Sequence, residues 1–168
     1  MSDHEDHERL LQMVTGYWTA QGVYVAAALG VAGFLENGPR PVEAIAANAG
    51  ADPEALYRLL RALASLGLFV EHDKARFGLT PLARLLAKPS KRAQALVMGR
   101  IFYHAWGHLL SSVRTGDPAF DENFGMPVFD YLAQNPEEGA LFDSTMTGIH
   151  GPETEPMLDA YDFSQFQT

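Results

Sequence analysis

The sequence contains no cysteine, so it forms no disulfide framework, no thiolate zinc site and no cysteine nucleophile. It also lacks a long apolar run. The longest, residues 23–35, is interrupted by Gly30 and Gly33 and falls short of the ~20 residues a membrane-spanning helix requires; a buried helix accounts for it better. There is no internal repeat and no low-complexity tract. Residues 1–9 are acidic and polar, with no basic stretch leading into an apolar one. They read as a frayed terminus rather than a signal peptide, and a cytoplasmic protein is expected. Among the 15 glycines no two are separated by a single residue. The G-x-G turn that brings backbone against a phosphate or an adenosyl group is therefore missing.

At 168 residues there is room for one core of ordinary size, given about 100–200 residues per domain. With 47% hydrophobic residues the chain should fold rather than stay disordered. The net charge of -9, from 12 basic and 21 acidic side chains, conceals a division. Residues 74–116 hold eight cations (Lys74, Arg76, Arg84, Lys88, Lys91, Arg92, Arg100 and Arg114) and no acid, whereas residues 117–168 hold eleven acids and no Lys or Arg. The economical reading is that the acidic third docks on or near the basic block, within the chain or across a dimer. A tethered segment of that charge would compete with phosphate for the same surface, which argues against nucleic acid as a partner.

Helical periodicity begins near Leu10 and runs through Leu11, Val14, Tyr17, Trp18, Gln21, Tyr24, Val25 and Ala28, after which the helix is apolar on nearly every side. Two readings fit: a central core helix, or a helix whose surplus of Tyr17, Trp18, Tyr24 and Val25 meets a second subunit. A short helix follows over 41–49, stopped by Gly50. A third is better marked, with Asp52 as N-cap, Pro53 in the first position, Glu54 at the positive end of the dipole and Gly67 past the last turn. Its stripe is Leu56, Leu59, Leu60, Leu63 and Leu66, with Arg58 and Arg61 off it. Residues 68–71 and 76–79 form a β-hairpin around a polar turn, and Thr80-Pro81 caps a fourth helix through Leu82, Leu85 and Leu86. Residues 91–115 read as one long helix with Leu96, Val97, Ile101, Ala105, Leu109 and Val113 on one side. Shorter helices are expected over 127–133, from Asn135 through Leu141, Phe142 and Met146, and over 152–161.

The fold class that results is mostly α: three helices plus a β-hairpin in winged-helix order, then a long helix and several short ones. That order alone does not imply DNA binding, since the same scaffold serves docking and dimerisation. The divisions are 1–9, a winged-helix-like dimerisation unit over 10–88, and a connecting helical segment over 89–168.

Catalytic patterns are sparse. His4 and His7 sit on the polar terminus. His104 and His108 are four apart, but Ala105, Trp106 and Gly107 between them leave no glutamate base as a His-Glu-x-x-His protease needs; lining a pocket or packing is the reading taken. Glu137 and Glu138 are adjacent, so on different faces, and belong to a helix's first turn. Ser144 has no nucleophile-elbow context. No catalytic, cofactor-binding or metal-ligating residue is assigned.

Residues 16–32 (GYWTAQGVYVAAALGVA) and 52–67 (DPEALYRLLRALASLG) resemble the N-terminal domain of the S-adenosylmethionine-dependent O-methyltransferases, the family of plant caffeate and bacterial antibiotic-biosynthesis enzymes. Trp106, the stretch 124–131 (FGMPVFDY) and residues 142–146 (FDSTM) resemble its connecting segment. The resemblance implies an intertwined homodimer through the N-terminal unit, with Tyr17, Trp18, Gln21, Tyr24 and Val25 at the interface, and an acceptor-pocket wall carrying Trp106, Phe142 and Met146. It implies S-adenosylmethionine as cofactor of the full enzyme, bound by a Rossmann-like domain that later supplies a histidine base. That domain is expected to be absent here, the chain ending at residues 164–168 where its first strand should begin, which would explain the missing G-x-G. The function expected is the dimerisation and acceptor-lid portion of such an enzyme, acting on a small aromatic or polyketide-like hydroxyl compound and inactive alone. The alternatives are a free-standing protein that binds a small aromatic ligand and, third, a winged-helix DNA-binding regulator.

Overall fold

The structure is a computed structural model that describes residues 3–161, except the side chain of Pro152, and the statements below concern those residues. Residues 164–168, where the resemblance places the start of a strand, lie outside them. The chain is mostly helical with one small sheet. Helix α1 (Asp3–Ala28) is followed by a single turn, α2 (Val31–Phe34), strand β1 (Arg40–Pro41), α3 (Val42–Ala49), α4 (Pro53–Ser65), strands β2 (Phe69–His72) and β3 (Arg76–Leu79), and α5 (Ala83–Leu86). The second part contains α6 (Pro89–Val97), α7 (Tyr103–Gly107), α8 (Leu109–Thr115), α9 (Ala119–Phe124), α10 (Val128–Gln134) and α11 (Pro136–Ala160).

Local chemistry explains the first part. Asp52 accepts a 2.7 Å bond from the Ala55 N–H as N-cap of α4, and Thr80 Oγ1 accepts from Ala83 N–H at 3.1 Å to start α5. Gly50 and Gly67 lie past α3 and α4 at φ 63° and 78°. The hairpin gains a third strand that periodicity did not show. β1 pairs antiparallel with β3, Arg40 opposite Phe77, giving the order β1-β3-β2. Two residues are too few to display an alternation. Leu35, Ile45, Leu60, Phe69 and Phe77 are fully buried in the core that these elements share.

Four boundaries differ from the sequence reading. Helix α1 begins at Asp3 rather than near Leu10; its first turn carries Asp3, Glu5 and Asp6, which suit the positive end of the dipole, and His4 pairs with Glu8 at 3.2 Å. The apolar run 23–35 is split where Gly30 adopts φ 68°. The long helix over 91–115 is interrupted twice: by a π turn at Met98–Phe102 and by a break at His108. Those breaks rotate the expected stripe, so Val97, Ile101 and Ala105 are buried while Leu109 and Val113 are exposed. Last, 136–160 is one helix with no stop at Pro152. Pro152 has no N–H for the carbonyl four residues back, and that Gly148 carbonyl instead accepts from Lys91 Nζ at 3.1 Å.

Two glycines set how α6 is clamped. At Gly148 a Cβ would stand 2.5 Å from Ser90 Cβ, so α11 lies against the start of α6. At Gly99, in the π turn, a Cβ would overlap Cβ and Cγ of Tyr24 on α1, and Gln21 Nε2 donates to the Gly99 carbonyl at 2.9 Å. The acidic third docks on the basic block as the charge pattern predicts: Glu138 on α11 meets Arg100 in the π turn at 2.8 Å. A second core holds Val97, Ile101, Ala105, Phe120 and Leu132, with Phe102, Phe124, Tyr131 and Phe142 packed against it.

Candidate functional site

Seating Gly99 under Tyr24 fixes α1 against the π turn and opens a groove between the two. It is lined by Tyr17 and Ala20 of α1, Met98 and Phe102 of the π turn, Tyr103, His104, Trp106, Gly107 and His108 after it, and Asn123 of α9. The groove is about 600 Å³, within the range of pockets that hold drug-sized ligands. Trp106 is 68% exposed and Tyr17 51% exposed, so two large aromatic faces stand open to a ligand. A second, smaller groove of about 300 Å³ shares Trp106 and Phe102 and is otherwise lined by Ala105, Leu109, Ser112, Ala119, Phe120 and Val128. Ser112 Oγ is buried there without a hydrogen-bond partner.

The polar chemistry of the larger groove centres on α8 and α9. His108 Nδ1 lies 3.5 Å from Glu122 Oε1, at the outer limit of a hydrogen bond. A hydrogen bond from Ser111 first, and then the bond and charge of His108, hold the Glu122 carboxyl below the ordinary glutamate range. An ionised carboxylate only accepts, so the hydrogen between the two is carried by Nδ1. His104, one helical turn before, makes an edge contact with Tyr103 at 6.0 Å. No group of three or more His, Asp or Glu side chains among the described residues is placed to hold a metal ion.

The residues singled out from the sequence fall in three places. Trp106 lines both grooves. Phe142 instead packs inward, 6.3 Å from Phe102 and 6.2 Å from Phe129 between ring centroids, and Met146 is half-buried one turn further along α11. On α1, Tyr17 and Trp18 are exposed and meet edge to face at 5.9 Å, while Gln21 and Tyr24 are engaged with Gly99 inside the chain and Val25 is half-buried. Sequence reasoning missed Glu122 and Ser111. Glu122 is separated from His108 by the turn at 116–118, and no spacing rule links them. It also read Glu138 as a helix-start residue only, whereas its side chain reaches Arg100.

The comparisons with known proteins agree with this architecture. Residues 11–89 match the model of the O-methyltransferase dimerisation domain, and residues 106–168 match that of the O-methyltransferase domain. The phenazine O-methyltransferase PhzM of Lysobacter antibioticus is 44% identical over 162 residues, covering 95% of this chain and 48% of the relative. The crystal structure of LaPhzM superposes with a TM-score of 0.91 at 44% identity, over 95% of this chain and 49% of that one. The O-methyltransferase NcsB1 from neocarzinostatin biosynthesis, solved with S-adenosylmethionine and 2-hydroxy-5-methyl naphthoic acid, gives a TM-score of 0.75 at 32% identity over 86% of this chain and 46% of that one. The chain belongs to the S-adenosylmethionine-dependent O-methyltransferase family, as an N-terminal portion of it. It spans about half the length of the relatives it matches, and N-methyltransferases stand among those relatives too.

Among the described residues the three strands are antiparallel, and none feeds a helix through the glycine-rich turn from which an adenosyl group takes its backbone cradle, so these residues do not fit the cofactor. Among the described residues no helix is long and apolar enough to cross a membrane.

Proposed function

We propose that this chain is the dimerisation and acceptor-lid portion of an S-adenosylmethionine-dependent methyltransferase acting on a small aromatic or polyketide-like hydroxyl compound, with cofactor and catalytic base supplied from outside residues 1–168. The observation that carries the reading is the aromatic groove lying at the root of an uncovered helix. Apart from half-buried Thr15, residues 3–20 of α1 are exposed, with Leu10, Leu11, Met13, Val14, Tyr17 and Trp18 among them. A helical arm of that length is marginal in water alone, and its apolar surface is of the kind a second subunit covers. In this reading 10–88, from α1 through α5 with the sheet, is a winged-helix-like unit used for homodimerisation; 89–168 is the connecting segment, and Trp106, Phe142 and Met146 form the acceptor wall, Phe142 and Met146 as its backing and Trp106 as its face.

Sedimentation velocity and titration calorimetry test it. The expected result is a dimer at tens of micromolar that takes up 1-hydroxyphenazine, a planar hydroxy-aromatic probe, and gives no heat with S-adenosylmethionine. A monomer at that concentration would remove the dimerisation claim, and cofactor heat would remove the claim that its site lies elsewhere. A second reading, a free-standing aromatic-binding protein, is favoured by one feature: the groove is built entirely from residues of this chain.

A further inference from the structure

Alone among the described helices, α8 buries none of its residues. Leu109, Leu110 and Val113 fall within about 100° of arc on it, the width of an apolar stripe that faces a core, yet they are 44%, 62% and 75% exposed. A helix of seven residues does not hold together in water without packing. Leu109 also lines the smaller groove, with Trp106 and Val128, and Phe129 beside Val128 is a further exposed ring. Ser112 Oγ is buried in that groove with no hydrogen-bond partner, so its desolvation goes uncompensated within the chain. An apolar face with an unanswered hydroxyl beside it has the make-up of an interface.

The place of this face in the chain identifies its occupant. Trp106, Leu109, Leu110, Val113 and Phe129 all fall in residues 106–168, matched by the O-methyltransferase domain, and none in residues 11–89, matched by the dimerisation domain. The chain covers 48% of the relative from Lysobacter antibioticus, so about half of that relative has no counterpart in it. A face left open on one part of a domain is where the other part packs, because a domain is built around a shared core. The apolar arm of α1 belongs to the other match, so the two surfaces have different occupants. We propose that the face formed by α8, Trp106 and Phe129 is the docking surface for the cofactor-binding half of an O-methyltransferase, whose side chains fill the smaller groove and reach Ser112 Oγ. This rests on the reading above, in which the cofactor comes from outside residues 1–168, and adds where on this chain that half sits. Both cores close among the described residues, so the docking needs no covalent link and is testable between separate chains.

The test is co-expression of the full 168-residue chain, affinity-tagged, with the part of the Lysobacter antibioticus phenazine O-methyltransferase that lies beyond its matched residues, followed by sedimentation velocity on what is recovered. Expressed alongside its partner, that half need not fold alone. The wild type should recover it in about equal amount. Leu110→Glu with Val113→Glu, at exposed positions outside both cores, should lower recovery by about tenfold or more, the effect of carboxylates forced into an apolar contact, with the fold verified by circular dichroism. Phe129→Glu, on a different helix, repeats the test if the α8 variant unfolds. Leu11→Glu, on the arm of α1, should recover the half as the wild type does, even where it loosens the homodimer. A wild type that recovers nothing, or equal recovery by the glutamate variants, overturns the inference. So does a glutamate variant whose self-association falls while recovery holds, which assigns the face to a second copy. The reading above is judged separately: a wild type that dimerises and takes up 1-hydroxyphenazine but recovers no cofactor half leaves it standing, and one that does neither removes it.

Discussion

Gly99→Ala isolates the contact on which the groove depends. The added methyl would overlap Cβ and Cγ of Tyr24 and come to 2.7 Å from Cδ2. The nearest of these atoms is tethered directly to the α1 backbone, so no rotamer change removes it; the helices must separate by more than an ångström. Overpacking of this kind costs about 1–3 kcal/mol, at the upper end here, and separation also stretches the Gln21 bond to the Gly99 carbonyl, 2.9 Å in the native chain, for ~1 kcal/mol. The better helix propensity of alanine returns ~1 kcal/mol. The net expectation is ~2–3 kcal/mol, or about 5–10 °C in Tm at 2–4 °C per kcal/mol for a chain of this size. Urea and thermal unfolding of a double-mutant set measure it. Tyr24→Ala keeps the offending Cβ and should leave most of the Gly99→Ala penalty in place; Tyr24→Gly removes it and should reduce the penalty to under ~0.5 kcal/mol. If Gly99→Ala is neutral, or if the alanine and glycine backgrounds relieve it equally, the steric account is wrong.

Four further outcomes are expected. Trp18→Ala should weaken self-association by more than ~1 kcal/mol, as truncated interface aromatics commonly do, read from a sedimentation concentration series; an unchanged dimerisation constant would take Trp18 out of the interface. Lys74, at the hairpin tip, sits at φ 61°, so Lys74→Asn should raise stability by ~0.5–1 kcal/mol in chemical denaturation, and a loss would mean its side chain has an unseen role. Because the Glu122 carboxyl is held below its ordinary value, its contribution is present above the unfolded value of about 4.3 and is lost as pH falls through the lower folded value. The stability gap between wild type and Glu122→Gln should therefore shrink on acidification below about pH 5, and a pH-independent gap would contradict the Ser111 and His108 bonds. Arg100→Met should destabilise by about 1–2 kcal/mol, discounted from the buried-pair range since Arg100 stays 40% exposed. The double replacement Arg100→Met with Glu138→Leu should recover most of that loss, and a double variant worse than the single would show the pair to be net stabilising.

How much of this was legible in the sequence depended on whether the cause was local. The start of α4 was readable from Asp52-Pro53-Glu54 because capping is chemistry within four residues, and the Asp52 bond to Ala55 is its direct expression. The family resemblance pointed correctly to the O-methyltransferases and their dimerisation domain, since it rests on runs such as 52–67 rather than on geometry. What failed was set by partners distant in sequence. The π turn exists where Gly99 meets Tyr24, 75 positions away, so a period of 3.6 carried across 91–115 placed Val113 on the wrong face. In the uninterrupted α11 the Gly148 carbonyl that Pro152 cannot serve accepts from Lys91, 57 positions away. Of the residues around the groove, the sequence marks Trp106 as a pocket-wall residue, Tyr17 as an interface residue, and His104 and His108 as lining a pocket or packing. Glu122, the partner of His108, lies on a different helix and gave no pattern.

The charge division helps to explain why a chain of this composition holds its acidic third in place. Long-range attraction between the basic block and the segment after residue 116 favours docking in general but cannot choose a register, because it falls off over a Debye length of about 8 Å in physiological salt. Register comes from short-range fits. Gly148 against Ser90 and Lys91 to the Gly148 carbonyl fix the middle of α11, and Glu138 against Arg100 fixes its first turn. The ion pair is imperfectly satisfied, Arg100 Nε and Glu138 Oε2 being buried without partners, which is the pattern of a group that specifies position rather than one that adds stability. Stability comes instead from the aromatic cluster, where Phe120 stacks on Phe124 at 4.4 Å and Phe142 meets Phe102. With α11 seated in that register, Phe142 backs Phe102, and Phe102 lines the groove together with Trp106 and His108. The acidic segment thus bears on the candidate site through packing order, two residues removed from any ligand, and its charge acts mainly to bring it there.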